Sequence, residues 1–164
     1  MMIGTTLEER AFQSKTIKFE VPKSIVWQIL MDIEGYSLWK PRLKTVELLG
    51  NNVKGYKKWR EHYPLNKSIT YEITEQIPES LITIKMIETS NMPEKTWVFK
   101  LESFEDSTIL LIKRYTIIKN KLDRFINHYI DEKYSETDYL ALALNKYMQQ
   151  LLEDQEDIDN ISIQ

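Results

Sequence analysis

Polar and apolar residues first alternate along 16–21, TIKFEV, where Ile17, Phe19 and Val21 share one side and Thr16, Lys18 and Glu20 the other. A period of two is that of a strand with one buried face. The period then lengthens. Pro22 suits the first turn of a helix, and Val26, Ile29, Leu30 and Ile33 recur at helical spacing before Gly35, which supplies an end. Tyr36 and Trp39 stand one turn apart, and Pro41 pushes Lys40 towards an extended conformation. The pattern predicts two short helices with a corner at 35–41 and Trp39 at least partly buried.

Six strand-like segments follow at 45–50, 55–64, 68–77, 81–89, 96–104 and 108–118, joined by short polar connectors. With 16–21 they predict a seven-stranded antiparallel sheet. The last third returns to helical spacing. Asn120 can cap a helix with Asp123 at its third position, ahead of an apolar stripe of Leu122, Phe125, Ile126, Tyr129 and Ile130. A second stripe runs through Leu140, Ala143, Leu144, Tyr147 and Leu151. Leu140 stands 18 residues after Leu122, about five helical turns, so the two stripes fall on one face of a continuous helix. Between them 131–138, DEKYSETD, is almost wholly polar. Either one long helix crosses an opening there, or Ser135 with Asp138 caps a new start. The gap marks the loosest part of the element, with 121–130 as a lid.

A chain of 164 residues fits one domain with a sizeable core. The reading divides it into a tail at 1–14, a domain at 15–152 and an acidic tail at 153–164, the last expected to fray. There is no cysteine, which excludes disulfides, thiolate metal sites and thiol nucleophiles and makes the cytoplasm the expected setting. No apolar run reaches the roughly 18 residues of a membrane span. A net charge of −3 argues against nucleic acid as a partner, since phosphate binding draws on a concentrated basic face. Lys40, Arg42 and Lys44, and Lys57, Lys58 and Arg60, form small basic clusters, read mainly as solvated strand faces.

Strand, two short helices, six-strand meander, long C-terminal helix: this order resembles the helix-grip fold of the START-like, or SRPBCC, superfamily, an α+β architecture. The motifs V-P-K-S-I-V-W (21–27), D-I-E-G-Y-S-L-W-K-P (32–41) and G-Y-K-K-W-R-E (55–61) are similar to patterns of its polyketide cyclase/dehydrase-like branch. The resemblance covers about 15–152. It implies a curved seven-stranded sheet around the long helix, two short helices closing one end, and a mainly apolar cavity for a small hydrophobic molecule. In that superfamily some members catalyse and others only bind.

The inner-face residues expected to meet a ligand are Trp59, Tyr71 and Ile73, then Ile84, Met86, Trp97 and Phe99, and from the C-terminal region Tyr129, Leu140, Leu144 and Tyr147. Strand 55–64 carries charges on both faces. If Trp59 and Tyr63 point inward, alternation sends Glu61 in with them. A carboxylate among aromatics can act as an acid, a base or a ligand anchor unless a cation pairs with it. Arg114, on a strand otherwise rich in Ile and Leu, is the candidate partner. Glu61, Tyr71 and Arg114 are thus the weak catalytic candidates, with a structural ion pair the more economical reading. The two histidines, His62 and His128, have no metal-binding spacing, and His128 reads as a flank residue. No G-x-S-x-G elbow or glycine-rich phosphate loop exists, so neither metal nor cofactor is expected.

Three functions compete: carriage of a lipid, isoprenoid or aromatic metabolite; a cyclase or dehydratase reaction using Glu61, Tyr71 and Arg114; and a filled-core module that binds other proteins. Convergence of those three polar groups would favour the second, and a small sealed interior with an exposed apolar patch the third.

Overall fold

The computed structural model describes residues 9–88, 93–125, 128 and 135–163. Its strands are β1 Glu9–Phe19, β2 Thr45–Asn51, β3 Lys57–Tyr63, β4 Lys67–Ile77, β5 Leu81–Glu88, β6 Lys95–Phe104 and β7 Ser107–Ile118. They form one antiparallel sheet in the order β1-β7-β6-β5-β4-β3-β2. After the first strand, consecutive strands are neighbours, as the alternating pattern and short turns predict. The β3–β4 turn holds Leu65 and Asn66, both at positive φ (63° and 57°), the backbone that lets a tight hairpin follow the strands' twist. Register shifts interrupt β2–β3 between Leu48 and Asn51 and β4–β5 between Ile73 and Glu75. Such bulges bend strands, and Gly50 supplies the positive φ (81°) of the first.

Helix α1, Lys23–Met31, buries Val26 and Leu30. A 3₁₀ turn, Glu34–Leu38, buries Tyr36 and ends at Trp39, itself buried. The predicted corner is there, but the break falls at Asp32 rather than at Gly35. Asp32 caps α1 through its backbone, and its carboxylate accepts a hydrogen bond from Gly35 N at 3.2 Å. A Cβ on Gly35 would lie 2.2 Å from an Asp32 carboxylate oxygen, so any larger residue there would displace that carboxylate from its bond to the backbone of residue 35.

Helix α2, Glu136–Ser162, starts at Ser135, whose side chain accepts from Asp138 N. The second of the two alternatives is therefore the observed one. Because α2 starts afresh, the stripe at 122–130 need not share its face. Leu122 and Phe125 are 64% and 67% exposed, contrary to the expectation that they face the core. Asn120 does cap the helical residues 121–125, accepting from Asp123 N at 2.9 Å. Ile126, Tyr129, Ile130 and 131–134, and with them much of the expected lid, lie outside the described residues.

Two ends differ from expectation. β1 begins at Glu9, not Thr16, and pairs with β7 along its whole length. α2 continues through the acidic segment read as a frayed tail, although beyond Met148 it buries no residue. It packs on β1 and β7. Between α2 and the sheet lies the core, including Trp59, Ile73, Ile82, Met86, Ile112, Leu144 and Met148. Among the described residues no helix is long and apolar enough to cross a membrane.

Candidate functional site

Strand alternation puts Trp59 and Glu61 on the inner face of β3, both buried, with Tyr63 half-buried beside them. Glu61 is 0% exposed, and its carboxylate is held by four hydrogen bonds. Lys40 Nζ donates to Oε1 at 2.7 Å and to Oε2 at 2.8 Å, Trp59 Nε1 to Oε1 at 3.1 Å, and the Tyr63 hydroxyl to Oε2 at 2.5 Å. An ionised carboxylate offers about four lone-pair sites, so this one is filled.

The corner at 35–41 delivers Lys40. Its backbone N–H bonds Tyr36 O at 2.8 Å, and Pro41 stops the chain from winding further. The ammonium lies 5.4 Å from the Tyr36 ring centre and 5.3 Å from that of Tyr71, within cation–π range. The rings hold one another as well. Trp59 stacks on Tyr71 with centroids 5.8 Å apart, and Tyr36 meets Trp59 and Trp39 edge-on. Burial, reinforced by the negative charge of Glu61, pushes the hydroxyls of Tyr36, Tyr63 and Tyr71 far above the usual phenol range. All three stay neutral donors at physiological pH.

All of these groups but Tyr63 wall a void of about 20 Å³ whose lining is completed by Ile84, Trp97, Phe99 and Leu140. That is room for about one water molecule.

A second polar cluster lies on the inner face at the start of α2. Lys95 Nζ donates to Glu136 Oε1 at 2.5 Å, and Arg114 Nη1 stands 3.3 Å from the same oxygen. Burial raises the Glu136 pKa, but the two cations together outweigh it and leave the carboxyl below its usual range. Thr116 faces Lys95 directly across the β6–β7 ladder, and its buried hydroxyl has no hydrogen-bond partner among the described residues.

Of the residues expected at the site, Trp59, Glu61, Tyr71, Ile84, Trp97, Phe99 and Leu140 line the void. Ile73, Met86 and Leu144 are buried in the surrounding core. Tyr147 lines a separate open groove with Gln28, Ile29 and Trp39. Tyr129 lies outside the described residues. Arg114 is buried, but it does not partner Glu61 as expected. Lys40 does, because the corner after the 3₁₀ turn overlies β3 while Arg114 sits on β7 beside the first turn of α2. Sequence reading missed Lys40, Lys95 and Glu136. Lys40 was visible as a lysine fixed between an aromatic pair and a proline, and Glu136 only as part of a polar gap. His128 is exposed, as a flank residue should be.

No protein-family model matches the sequence, and no curated protein is significantly similar to it. Solved structures are similar. The Zhui aromatase/cyclase of Streptomyces sp. R1128 superposes with a TM-score of 0.69 at 15% identity, over 88% of this chain and 96% of its own. A START superfamily protein of Mycobacterium smegmatis gives 0.65 at 17%, over 85% and 98%. Norcoclaurine synthase of Thalictrum flavum gives 0.68 at 10%, over 93% and 97%. Near-complete coverage of each partner at such low identity is agreement of backbone path. The chain therefore has the START-like, or SRPBCC, helix-grip fold, with polyketide cyclase-like proteins among its structural relatives.

Proposed function

We propose that this protein binds and carries a small hydrophobic molecule, of the lipid, isoprenoid or aromatic class, between the sheet and α2. One observation carries the reading: the void is walled by rings and aliphatic side chains around a single ion pair whose hydrogen bonds are met from within. Such a wall offers dispersion and desolvation and asks for few polar partners. Ligand pockets run to about 300–1,000 Å³, so at about 20 Å³ the void is too small for such a ligand and binding must enlarge it. The ladder hydrogen bonds tie β3 to β6 into one sheet. The yielding wall is therefore the first turns of α2, around Leu140.

The geometry gives less support to a cyclase or dehydratase. Glu61 has no free lone pair for a substrate proton, and Arg114 is engaged with Glu136. Proton transfer needs a group within hydrogen-bond reach of the reacting atom. Nucleic acid is a poor partner for a chain of net charge −3 whose Arg60 and His62 both face Glu47. A cysteine-free chain fits the cytoplasm.

The small void, with Leu122 and Phe125 exposed, favours one other reading, a filled-core module that binds proteins. Native mass spectrometry of protein purified without denaturant, followed by titration with the neutral apolar probe N-phenyl-1-naphthylamine, separates the two. The ligand reading expects a co-purified small molecule or saturable binding of one probe per chain, with energy transfer from tryptophan. A bare chain that also fails to take up the probe selects the interaction module.

A further inference from the structure

The inner face of the sheet is apolar and aromatic around the void, yet β6 and β7 place three polar side chains together at one end of it. Lys95 and Thr116 are directly opposite in the ladder, as are Trp97 and Arg114. Opposed residues on one face lie about 5 Å apart at Cβ, and residues two apart on a strand share that face. Arg114, Thr116 and Lys95 thus form one patch, each with less than a tenth of its surface exposed. Burying two cations side by side is costly unless an anion is supplied.

The anion now present is the Glu136 carboxylate, which reaches in from the first turn of α2. Unlike the cations, its side chain is 28% exposed, so it sits at the rim with a path to water. The Thr116 hydroxyl is engaged by none of these groups and has no hydrogen-bond partner among the described residues. It is a buried donor left over in a patch already arranged for oxygen. Moreover, the patch adjoins the void. Trp97 lies between Lys95 and Phe99 on β6 and lines the void, and Leu140, one helical turn after Glu136, lines it too.

We infer that Lys95, Arg114 and Thr116 form a head-group site for the carboxylate of an amphipathic ligand, whose apolar part occupies the enlarged void beyond Trp97. The inference rests on the hydrophobic-ligand reading and narrows its class to carboxylic acids with an aliphatic or aromatic body. In the closed protein Glu136 holds the place of the ligand head. On binding, one carboxylate replaces another on the same two cations, and Glu136 turns out to solvent. The charge balance of the patch, two cations to one carboxylate, is the same in both states. The ligand also gains the Thr116 hydroxyl, and in leaving the cations Glu136 loosens the turn of α2 that carries Leu140.

The test compares dodecanoate with dodecanol, each displacing N-phenyl-1-naphthylamine from the full chain. A charge-assisted hydrogen bond in a buried site discriminates by about tenfold or more. The unmodified protein should therefore prefer the acid by about that factor. Lys95→Met, which leaves only Arg114 as a cation, should cut the ratio of acid to alcohol affinity severalfold. Thr116→Val, close to isosteric, should reduce it severalfold and serves if the lysine variant does not fold. Glu136→Gln, which removes the competing carboxylate, should tighten the acid and not the alcohol. Equal binding of acid and alcohol by both the unmodified protein and Glu136→Gln overturns the head-group site and leaves the hydrophobic-ligand reading standing. Failure of either compound and of the probe to bind overturns both.

Discussion

Two clusters of charge lie inside this protein, and they are built to opposite specifications. In the first, Glu61 is fully enclosed and receives four hydrogen bonds from three donors, with two aromatic rings flanking the lysine that neutralises it. In the second, one carboxylate is shared by two cations, sits at a rim, and leaves a neighbouring hydroxyl without a partner among the described residues. A buried pair with every valence met is expensive to alter and has nothing to offer a ligand. A shared, part-exposed carboxylate can be exchanged at little cost. Buried charge alone therefore does not mark a binding site; unfilled hydrogen-bonding capacity does.

The largest expected effect lies in the first cluster. Lys40→Met leaves the Glu61 carboxylate buried without its cation, and breaking such a pair costs about 3–5 kcal/mol, read as a lower midpoint in urea unfolding. A loss below about 1 kcal/mol, the range of surface pairs, would show that the pair is not enclosed as described. Tyr63→Phe removes one donor to the same carboxylate and should cost about 1.5–3 kcal/mol, the range for hydrogen bonds to charged groups.

Glu136→Gln should cost about 1–3 kcal/mol near neutral pH, because it leaves Lys95 and Arg114 buried without their carboxylate, while the carboxylate's own partial exposure keeps the loss below that of a fully enclosed pair. Its pH dependence has a definite sign. The folded pKa lies below the usual glutamate value, so the ionised carboxylate stabilises the fold above that value and the contribution fades as pH falls through the lower folded value. The stability difference between the unmodified protein and Glu136→Gln should be constant from neutral pH down to about 5 and shrink below it. A difference that grows on acidification would contradict the ion triad.

The sheet was legible because a strand with one buried face writes its period into the sequence, and β3 to β7 were found within two residues of their observed ends. Where that condition fails, so did the reading. The first half of β1 is an edge in which Phe12 packs at a tilt against Tyr115 while staying exposed, and few side chains are buried, so no alternation marks it. The end of α2 is exposed all round and carries no stripe. Its helicity is supported instead by i to i+4 bonds such as Gln155 to Asp159. The aromatic lining and the inward turn of Glu61 followed from alternation alone. Its partner did not, because Lys40 lies 21 residues away on a corner whose position over β3 is a tertiary fact. The Lys95, Arg114 and Glu136 cluster was hidden for the same reason. It exists only once α2 begins at Ser135 and its first turn falls across the ends of β6 and β7.

The central claim is that the closed interior opens to admit an apolar molecule, and methyl-resolved NMR during titration with N-phenyl-1-naphthylamine addresses it most directly. Shifts should saturate together at Ile84, Met86, Leu140 and Leu144, inside the grip, while the exposed Val53 and Leu65 stay fixed. Shifts confined to exposed methyls, with Ile84 and Leu140 unmoved at saturation, would contradict the claim and leave a protein whose core is simply full.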